Sequence, residues 1–457
     1  MTFRVTNRSD AVQPSLHPDE VQGQSKFELT DHLTGIANRR RMFAKVEKKL
    51  DELREDPVPF AICLINLDGF KPLNDYFGRK AGDDILCQVA QRLKGALPDG
   101  SLPARISGDC FAAYLPKIYT DKAAEEMGQL LIDIMSAPFD LGEHSARLTA
   151  TVGFSFFMNA DDTADDMFHR ADTAVYHAKK AGRGLCQVFS ASMAREQARQ
   201  LEIEQALRIA IAKETIEPHF QPIVDLPTGR TIGFEALARW TDRSLGFVSP
   251  ADFIPLAEER GLIVPLTRAL LSKAAKDACA WPDDVFLSFN LSPAQLIDPS
   301  TVNTVISIIS KAGFPAHRLE LEITETSMMA NPELAAQIIR ELRSVGIRIS
   351  LDDFGTGQSS LGRLREFQFD KLKIDRAFVS TMLDDGPTGH IVKAILQMCE
   401  GLNMKVVAEG IEEAQQAKVL ADQGCGAGQG WLYGKAERAP DALKFVDGTN
   451  PVFSLAG

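Results

Sequence analysis

The stretch Ile347-Arg348-Ile349-Ser350-Leu351-Asp352-Asp353-Phe354-Gly355-Thr356-Gly357 alternates apolar and polar residues, arrives at two adjacent carboxylates and runs into a loop with two glycines. Neighbouring acids at a strand end repel one another, at a cost that a cation or a shared proton offsets. A divalent metal is the simplest such partner. Met alone, an Asp-Asp pair is more often a helix cap or a turn. Here, however, other apolar runs in the same half end in groups of metal-ligand or phosphate-binding type. Phe234 leads into Glu235, Val285-Phe286-Leu287-Ser288-Phe289 into Asn290, and Leu319-Glu320-Leu321 into Glu322. Lys371-Leu372 precedes Lys373, Val406-Val407-Ala408 precedes Glu409, and a Gly-rich run carries Gln429. Such side chains at the ends of successive strands, with helical segments between, are how a (β/α) barrel builds its C-terminal face. The set reads as one convergent site.

The elements that position these residues follow from the rest of the chain. Its 457 residues, 45% hydrophobic and 25% charged, suit globular structure and allow two or three domains. The 62 acids outnumber 50 bases, a formal net charge of −12, which speaks against broad capture of a nucleic-acid polymer. A small anionic ligand then needs a local device such as a metal. Seven cysteines (Cys63, Cys87, Cys110, Cys186, Cys279, Cys399, Cys425) are scattered, odd in number and without a C-x-x-C pair, as expected of free thiols in a reducing cytoplasm. No apolar run reaches the roughly 18 residues of a membrane span, and the polar start has no signal-peptide core. The expectation is a cytoplasmic protein without a membrane span.

Residues 1–26, rich in Ser, Gln and Asp with Pro14 and Pro18, read as a flexible tail. A first domain is expected over 27–190. Phe60 to Ile65 reads as a buried strand, Asp83 to Leu97 as an amphipathic helix, Arg105 to Leu115 as a hairpin turning at Ser107-Gly108, and Leu148 to Phe157 as another strand. That mixture lacks barrel regularity and implies an α+β sheet domain. A connecting helix is expected over 191–213, from Leu201, Ile203, Ala206, Leu207 and Ile211 at near-helical spacing. It either transmits strain between domains or simply packs on the second one. From residue 214 to 450, strand-like runs alternate with helical ones at Ala269 to Ala280, Val302 to Ala312, Pro332 to Val345 and His390 to Leu402, the rhythm of a (β/α) TIM-like barrel.

Glu235-Ala236-Leu237-Ala238-Arg239-Trp240, Asn290-Leu291-Ser292, Glu322-Ile323-Thr324-Glu325, Asp352-Asp353-Phe354-Gly355-Thr356-Gly357, Lys373-Ile374-Asp375 and Ala408-Glu409-Gly410 together resemble EAL domains, the cyclic di-GMP phosphodiesterases, over roughly residues 199–442. The resemblance implies hydrolysis of cyclic di-GMP to linear pGpG. It makes Glu235, Asn290, Glu322 and Asp352 ligands of one Mg²⁺ or Mn²⁺, with Asp352 and Asp353 serving a second. The residue types agree, since carboxylate and amide oxygens are hard ligands, and the absence of His and Cys argues against zinc. By the same resemblance Lys373 orients the attacking water, Glu409 accepts its proton or binds it, and Gln221, Arg239 and Gln429 contact substrate. Glu325 holds the loop after Asp353. Each residue met singly has a plainer reading, Glu235 as a surface ion pair, Asn290 as a cap, Lys373 as a solvated strand end; Gln358 departs from the aromatic residue usual after Gly357. The other class of function open to such a chain is a non-catalytic cyclic di-GMP receptor.

In the first half, Asp31-His32-Leu33-Thr34-Gly35-Ile36-Ala37-Asn38-Arg39-Arg40, Leu67-Asp68-Gly69-Phe70-Lys71, Asn74-Asp75 and Gly82-Asp83 resemble GGDEF domains, the diguanylate cyclases, over about residues 27–189. At the hairpin the two glycines and two acids of that family appear as Ser107-Gly108-Asp109-Cys110-Phe111, and Asn66 stands where the family has a metal-binding Asp. An amide and a thiol with a reference pKa of about 8.5 replace two carboxylates that Mg²⁺ chemistry needs. The Arg and Asp of the product-inhibition motif are also absent, Pro98 and Ser101 holding their places. The expectation is a domain without cyclase activity that senses GTP or mediates a homodimer. Lys71, Asn74, Asp83, Lys179 and Arg183 match the nucleotide-binding positions.

Overall fold

The computed structural model describes residues 29–53, 59–158, 161–329, 331–354, 367–384 and 386–446, the side chains of Thr326 and Asp353 excepted. The chain divides into two compact units between Arg199 and Gln200.

In the first unit six strands form one sheet. They are β1 (Ala37–Asn38), β2 (Phe60–Asp68), β3 (Leu102–Ser107), β4 (Cys110–Pro116), β7 (Thr149–Phe156) and β8 (Cys186–Val188), in the order β1-β3-β4-β2-β7-β8; β5 (Phe139–Asp140) and β6 (Ser145–Ala146) pair separately. The centre of the sheet is antiparallel and only the two edge pairs are parallel. Strand periodicity sorts the core. Ala61, Cys63, Ile65 and Leu67 of β2 join Phe111, Ala113 and Leu115 of β4 in one apolar cluster, while Phe60, Ile62 and Leu64 join Ala112 and Tyr114 in another. The first cluster takes Ile85, Val89 and Leu93 from the helix Arg79–Ala96, and the second takes Met42 and Val46 from the helix Arg39–Leu53. The result is a sheet between two helical layers. At Gly153 the helix Ala164–Ala181 lies directly on β7, since a Cβ there would come within 2.3 Å of the Ala171 carbonyl.

The predicted connecting helix spans Ala191–Ala212. Its second half belongs to the second unit, where Ile203, Leu207 and Ala210 are buried in the large apolar cluster. The second unit is a nine-stranded sheet that closes on itself: β9 (Glu217–Asp225), β10 (Thr231–Asp242), β11 (Gly246–Val248), β12 (Phe286–Asn290), β13 (Leu319–Thr324), β14 (Arg348–Phe354), β15 (Lys371–Ile374), β16 (Lys405–Ala408) and β17 (Ala427–Gln429). Because β11 only extends β10 outside the ring, eight strands make the barrel. The TIM-like expectation holds with one irregularity. β10 and β12 to β17 run parallel, but β9 is antiparallel to both its neighbours, β10 and β17. The cause is local: β9 and β10 are joined by a tight turn in which Asp225 Oδ2 accepts from Thr228 N at 3.0 Å and Gly229 has φ 70°.

Helices Pro250–Glu259, Ile263–Ala278, Thr301–Ala312, Pro332–Ser344 and Thr388–Gly401 surround the ring. Leu287, Phe289, Leu319, Leu321, Ile349, Leu351, Leu372 and Ile374 pack outward against that layer. The alternate residues therefore point into the barrel. They include Ser288, Glu320, Glu322, Ser350, Lys371 and Lys373, all buried, beside a small apolar group of Ile223, Phe286, Val407 and Ala427.

Candidate active site

The parallel strands deliver their polar ends to one place, the C-terminal face of the barrel. Register sets the neighbours: Asn290 pairs with Glu322 across β12 and β13, and Gln221 with Glu235 across the β9–β10 hairpin. The centre of the cluster is Lys373, 1% exposed. Its ammonium donates to Glu322 Oε2 at 2.8 Å and lies 2.5 Å from Glu409 Oε1, 3.6 Å from Asp352 Oδ1 and 3.8 Å from Glu235 Oε2. Glu322 is fixed from both sides, because Ser288 Oγ donates to its Oε1 at 2.7 Å. Glu235 accepts from Asn290 Nδ2 at 2.7 Å and from Gln429 Nε2 at 2.6 Å, and that same amide reaches Gln221 Oε1 at 3.1 Å. Gln221 in turn donates to the Gly434 carbonyl at 3.2 Å.

Among the described residues, four carboxylates around one ammonium leave three formal negative charges in a buried site, and the ionisation of Glu322, Glu409, Glu235 and Lys373 shows the strain. Burial and then repulsion by Glu235 push Glu322 well above the ordinary glutamate range. Burial likewise drives Glu409 up to about 8, although Lys373 pulls the other way. Glu235 is buried too, but Lys373 and the amides of Gln429 and Asn290 outweigh burial and hold it below the usual value. Burial disfavours the Lys373 ammonium, yet the surrounding carboxylates keep its pKa well above that of a free lysine.

A cleft of 260 Å³ opens over this cluster and is lined by Gln221, Glu235, Asp352, Glu409 and Gln429 together with Arg376 and Trp431. The sequence reading missed Arg376 and Trp431. Trp431 is exposed, two residues beyond Gln429, with the Arg376 guanidinium 5.3 Å and the Lys435 ammonium 5.1 Å from its ring. Ser288 was missed as well, although it sits two residues before Asn290 and therefore on the same face of β12. Arg239 is not brought to this cleft. Its Nη1 donates to the Ala238 carbonyl at 2.9 Å, and it lines an adjacent, mostly apolar cavity of 290 Å³ together with Asn290. Glu325 opens a short 3₁₀ turn, Glu325–Met328, after β13. Asp353 lies on β14, but its side chain and residues 355–366, Gln358 among them, are outside the described residues.

The predicted nucleotide positions of the first unit are less convergent. Lys179 Nζ donates to Asn66 Oδ1 at 2.6 Å, and Asn66 faces Cys110 across β2 and β4. Burial, then the acids Asp172 and Asp109, push the Cys110 thiol up to about 12, so it stays a neutral thiol. Asp68 Oδ2 accepts from Thr151 Oγ1 at 2.7 Å and from Gly184 N at 3.2 Å. Asn74 packs against Gly82, whose Cα approaches so closely that a Cβ would overlap Asn74 Oδ1 at 1.8 Å. Lys71, Asp83 and Arg183 are exposed.

A closed eight-strand barrel with one antiparallel strand and an acid-rich cluster around a buried lysine at its C-terminal face defines the class of the second domain. Residues 204–436 match the family model of the EAL domain, and residues 28–185 match that of the diguanylate cyclase GGDEF domain. The chain belongs to the EAL domain family, as a GGDEF–EAL tandem. It is 34% identical over 423 residues to the bifunctional diguanylate cyclase/cyclic di-GMP phosphodiesterase MucR of Pseudomonas aeruginosa, covering 92% of this chain and 62% of that protein. To the cyclic di-GMP phosphodiesterase NbdA of the same organism it is 34% identical over 409 residues, 89% of this chain and 52% of that one. The solved PaMucR phosphodiesterase–c-di-GMP complex is 36% identical, with a TM-score of 0.51, over 53% of this chain and 100% of the solved one. The chain thus spans about half to three-fifths of the length of these curated relatives. Among the described residues, no helix is long and apolar enough to cross a membrane.

Proposed function

We propose that the second domain hydrolyses cyclic di-GMP to linear pGpG in a reaction that requires Mg²⁺ or Mn²⁺, and that the first domain is a non-catalytic regulator. The observation that carries this reading is the buried charge imbalance at the strand ends, four carboxylates against Lys373. Among the described residues no group of three or more Asp, Glu, His or Cys is disposed to hold a metal as it stands. The donor set nevertheless suits one. Glu235, Glu322, Asp352 and the amide oxygen of Asn290 are hard ligands, and the excess negative charge calls for a divalent cation. Asp352 and Asp353 are the proposed ligands of a second ion. Bound in this way, the metals supply a water of lowered pKa and neutralise charge on the phosphoryl group.

The chain's own residues do the rest. Ser288 and Lys373 hold Glu322 by its two oxygens, which fixes the plane of the carboxylate. Lys373 orients the attacking water and offsets charge on the phosphoryl oxygens, and Glu409 takes the proton the water loses. Gln221 and Gln429, hydrogen-bonded to one another, contact the substrate beside Glu235. Arg239 is a further substrate contact, which requires its guanidinium to leave the Ala238 carbonyl, and Glu325 positions the loop after Asp353. In the first domain the amide of Asn66 and the neutral Cys110 thiol support the absence of cyclase chemistry, with GTP as a regulatory ligand through Lys71, Asn74, Asp83, Lys179 and Arg183, and a homodimer as the assembly. The test is incubation of purified protein with cyclic di-GMP and Mg²⁺ or Mn²⁺. Formation of pGpG that a chelator stops is the expected result; binding of cyclic di-GMP with no product under any metal would make the protein a receptor instead.

A further inference from the structure

The opposite end of the same barrel holds a second cavity, of about 710 Å³. Its walls are the strand starts, Glu320 of β13, Arg348 of β14, Lys371 of β15 and Lys405 of β16, whereas the acid cluster is built from strand ends. The two sites therefore lie at opposite faces of the ring. Four cations line this cavity, Arg343, Arg348, Lys371 and Lys405, and two of them are already matched. Arg343 grips Asp370 with Nε at 3.2 Å and Nη2 at 2.8 Å, and Lys371 Nζ donates to Glu320 Oε1 at 2.7 Å. Arg348 is different. Its guanidinium stands over the Phe286 ring at 4.9 Å and its Nε, 4.0 Å from Glu320 Oε2, is buried without a hydrogen bond among the described residues. Lys405 is exposed at the rim, and the three acids of the lining, Glu320, Asp370 and Glu400, leave its four cations one positive charge in excess.

A guanidinium braced on an aromatic face, with a buried Nε that makes no hydrogen bond among the described residues and a second cation, Lys405, lining the same cavity, offers the planar fork that phosphate oxygens require. The remaining wall joins the apolar side chains of Phe369, Leu402 and Met404 to the amides of Gln368 and Asn403, and the volume suits a small organic molecule. We propose that this cavity at the N-terminal face of the barrel binds a phosphate monoester of about mononucleotide size, its phosphoryl oxygens held by Arg348 and Lys405 and its apolar part by Phe369, Leu402 and Met404. Inorganic phosphate shares the recognised group but not the apolar part.

Calorimetric titration of the full chain, in buffer without divalent metal, with GMP, inorganic phosphate and guanosine tests the proposal. GMP is expected to bind more tightly than phosphate, and guanosine not measurably. Arg348→Gln and Lys405→Gln should each weaken GMP binding about tenfold or more, the effect of removing one charge-assisted bond. Asp352→Ala, which alters only the acid cluster, should leave it unchanged. Lys405 is exposed, so its variant decides the matter even if Arg348→Gln fails to fold. Absence of GMP binding at millimolar concentration, binding that Lys405→Gln leaves intact, or binding lost in Asp352→Ala would each overturn the site. Phosphate binding as tightly as GMP would remove the apolar wall from the proposal and leave an inorganic-anion site.

Discussion

Both domains bring a lysine ammonium to the end of a central strand, and the partners it finds there differ. In the first, Lys179 meets the neutral amide of Asn66, beside a protonated Cys110 thiol. In the second, Lys373 meets Glu322, Glu409, Asp352 and Glu235. One lysine fully answers its partner; the other cannot neutralise its surroundings. An ammonium in a strand-end cluster thus says little by itself. The charge left over after it has been counted indicates whether the cluster is built to receive a further cation.

The comparison can be broken most decisively at Asp352. Asp352→Ala should lower phosphodiesterase turnover at least about a thousandfold, measured by chromatography of pGpG, because the residue is proposed to serve both metals. Turnover within a few fold of the parent would sink that assignment. The lysines come next. Lys373→Met should cost the second domain about 3–5 kcal/mol in metal-free urea unfolding, since it strands buried carboxylates. Added Mn²⁺ should restore part of the loss by binding only the folded state. All three tryptophans, Trp240, Trp281 and Trp431, lie in that domain, so their fluorescence isolates its transition. Ser288→Ala leaves one buried oxygen of Glu322 unmatched and should cost about 1–3 kcal/mol by the same measurement. Lys179→Met, by contrast, removes a partly exposed bond to an amide and should cost at most about 1 kcal/mol, followed by circular dichroism. Equal costs for the two lysines would erase the distinction drawn here. No effect at all is expected in the last experiment: the Glu235→Ala variant given GTP and Mg²⁺ should accumulate no cyclic di-GMP, and any accumulation would restore the first domain to the cyclases.

Much of the cluster was legible because each functional side chain closes an apolar run, and parallel strands bring such ends together whatever the loop lengths between them. Two things were not. The alternation in Leu319-Glu320-Leu321-Glu322 and Lys371-Leu372-Lys373 ordinarily means a strand with one face in water. In a ring sheathed by helices neither face meets water, so Glu320, Ser350 and Lys371 went inside, and sequence spacing carries no sign of that closure. The antiparallel β9 was also unread, although Asp225-Leu226-Pro227-Thr228-Gly229 has the residues of a reversing turn. Helix starts were read late where proline intervened. The helix expected from Ala269 begins at Ile263, since Pro265 sits in its first turn, where no backbone donor is needed.

The reversed strand has a consequence for synthesis. β9 pairs with β10 across a short turn but with β17 only from the far end of the domain, and the amide contact between Gln221 and Gln429 joins residues 208 apart. A chain emerging from the ribosome can form the hairpin at once and must then hold one unsatisfied strand edge until nearly the whole domain has been made. Ring closure is expected to be the late, slow event, as loop-closure entropy over such a separation dictates. A chain truncated at Gly424, before β17, should keep the helical circular dichroism of its outer layer yet associate through the open edge of β9, visible as oligomers in light scattering. The strand that seats Gln221 is then also the clasp that keeps the nascent domain from pairing with its neighbours.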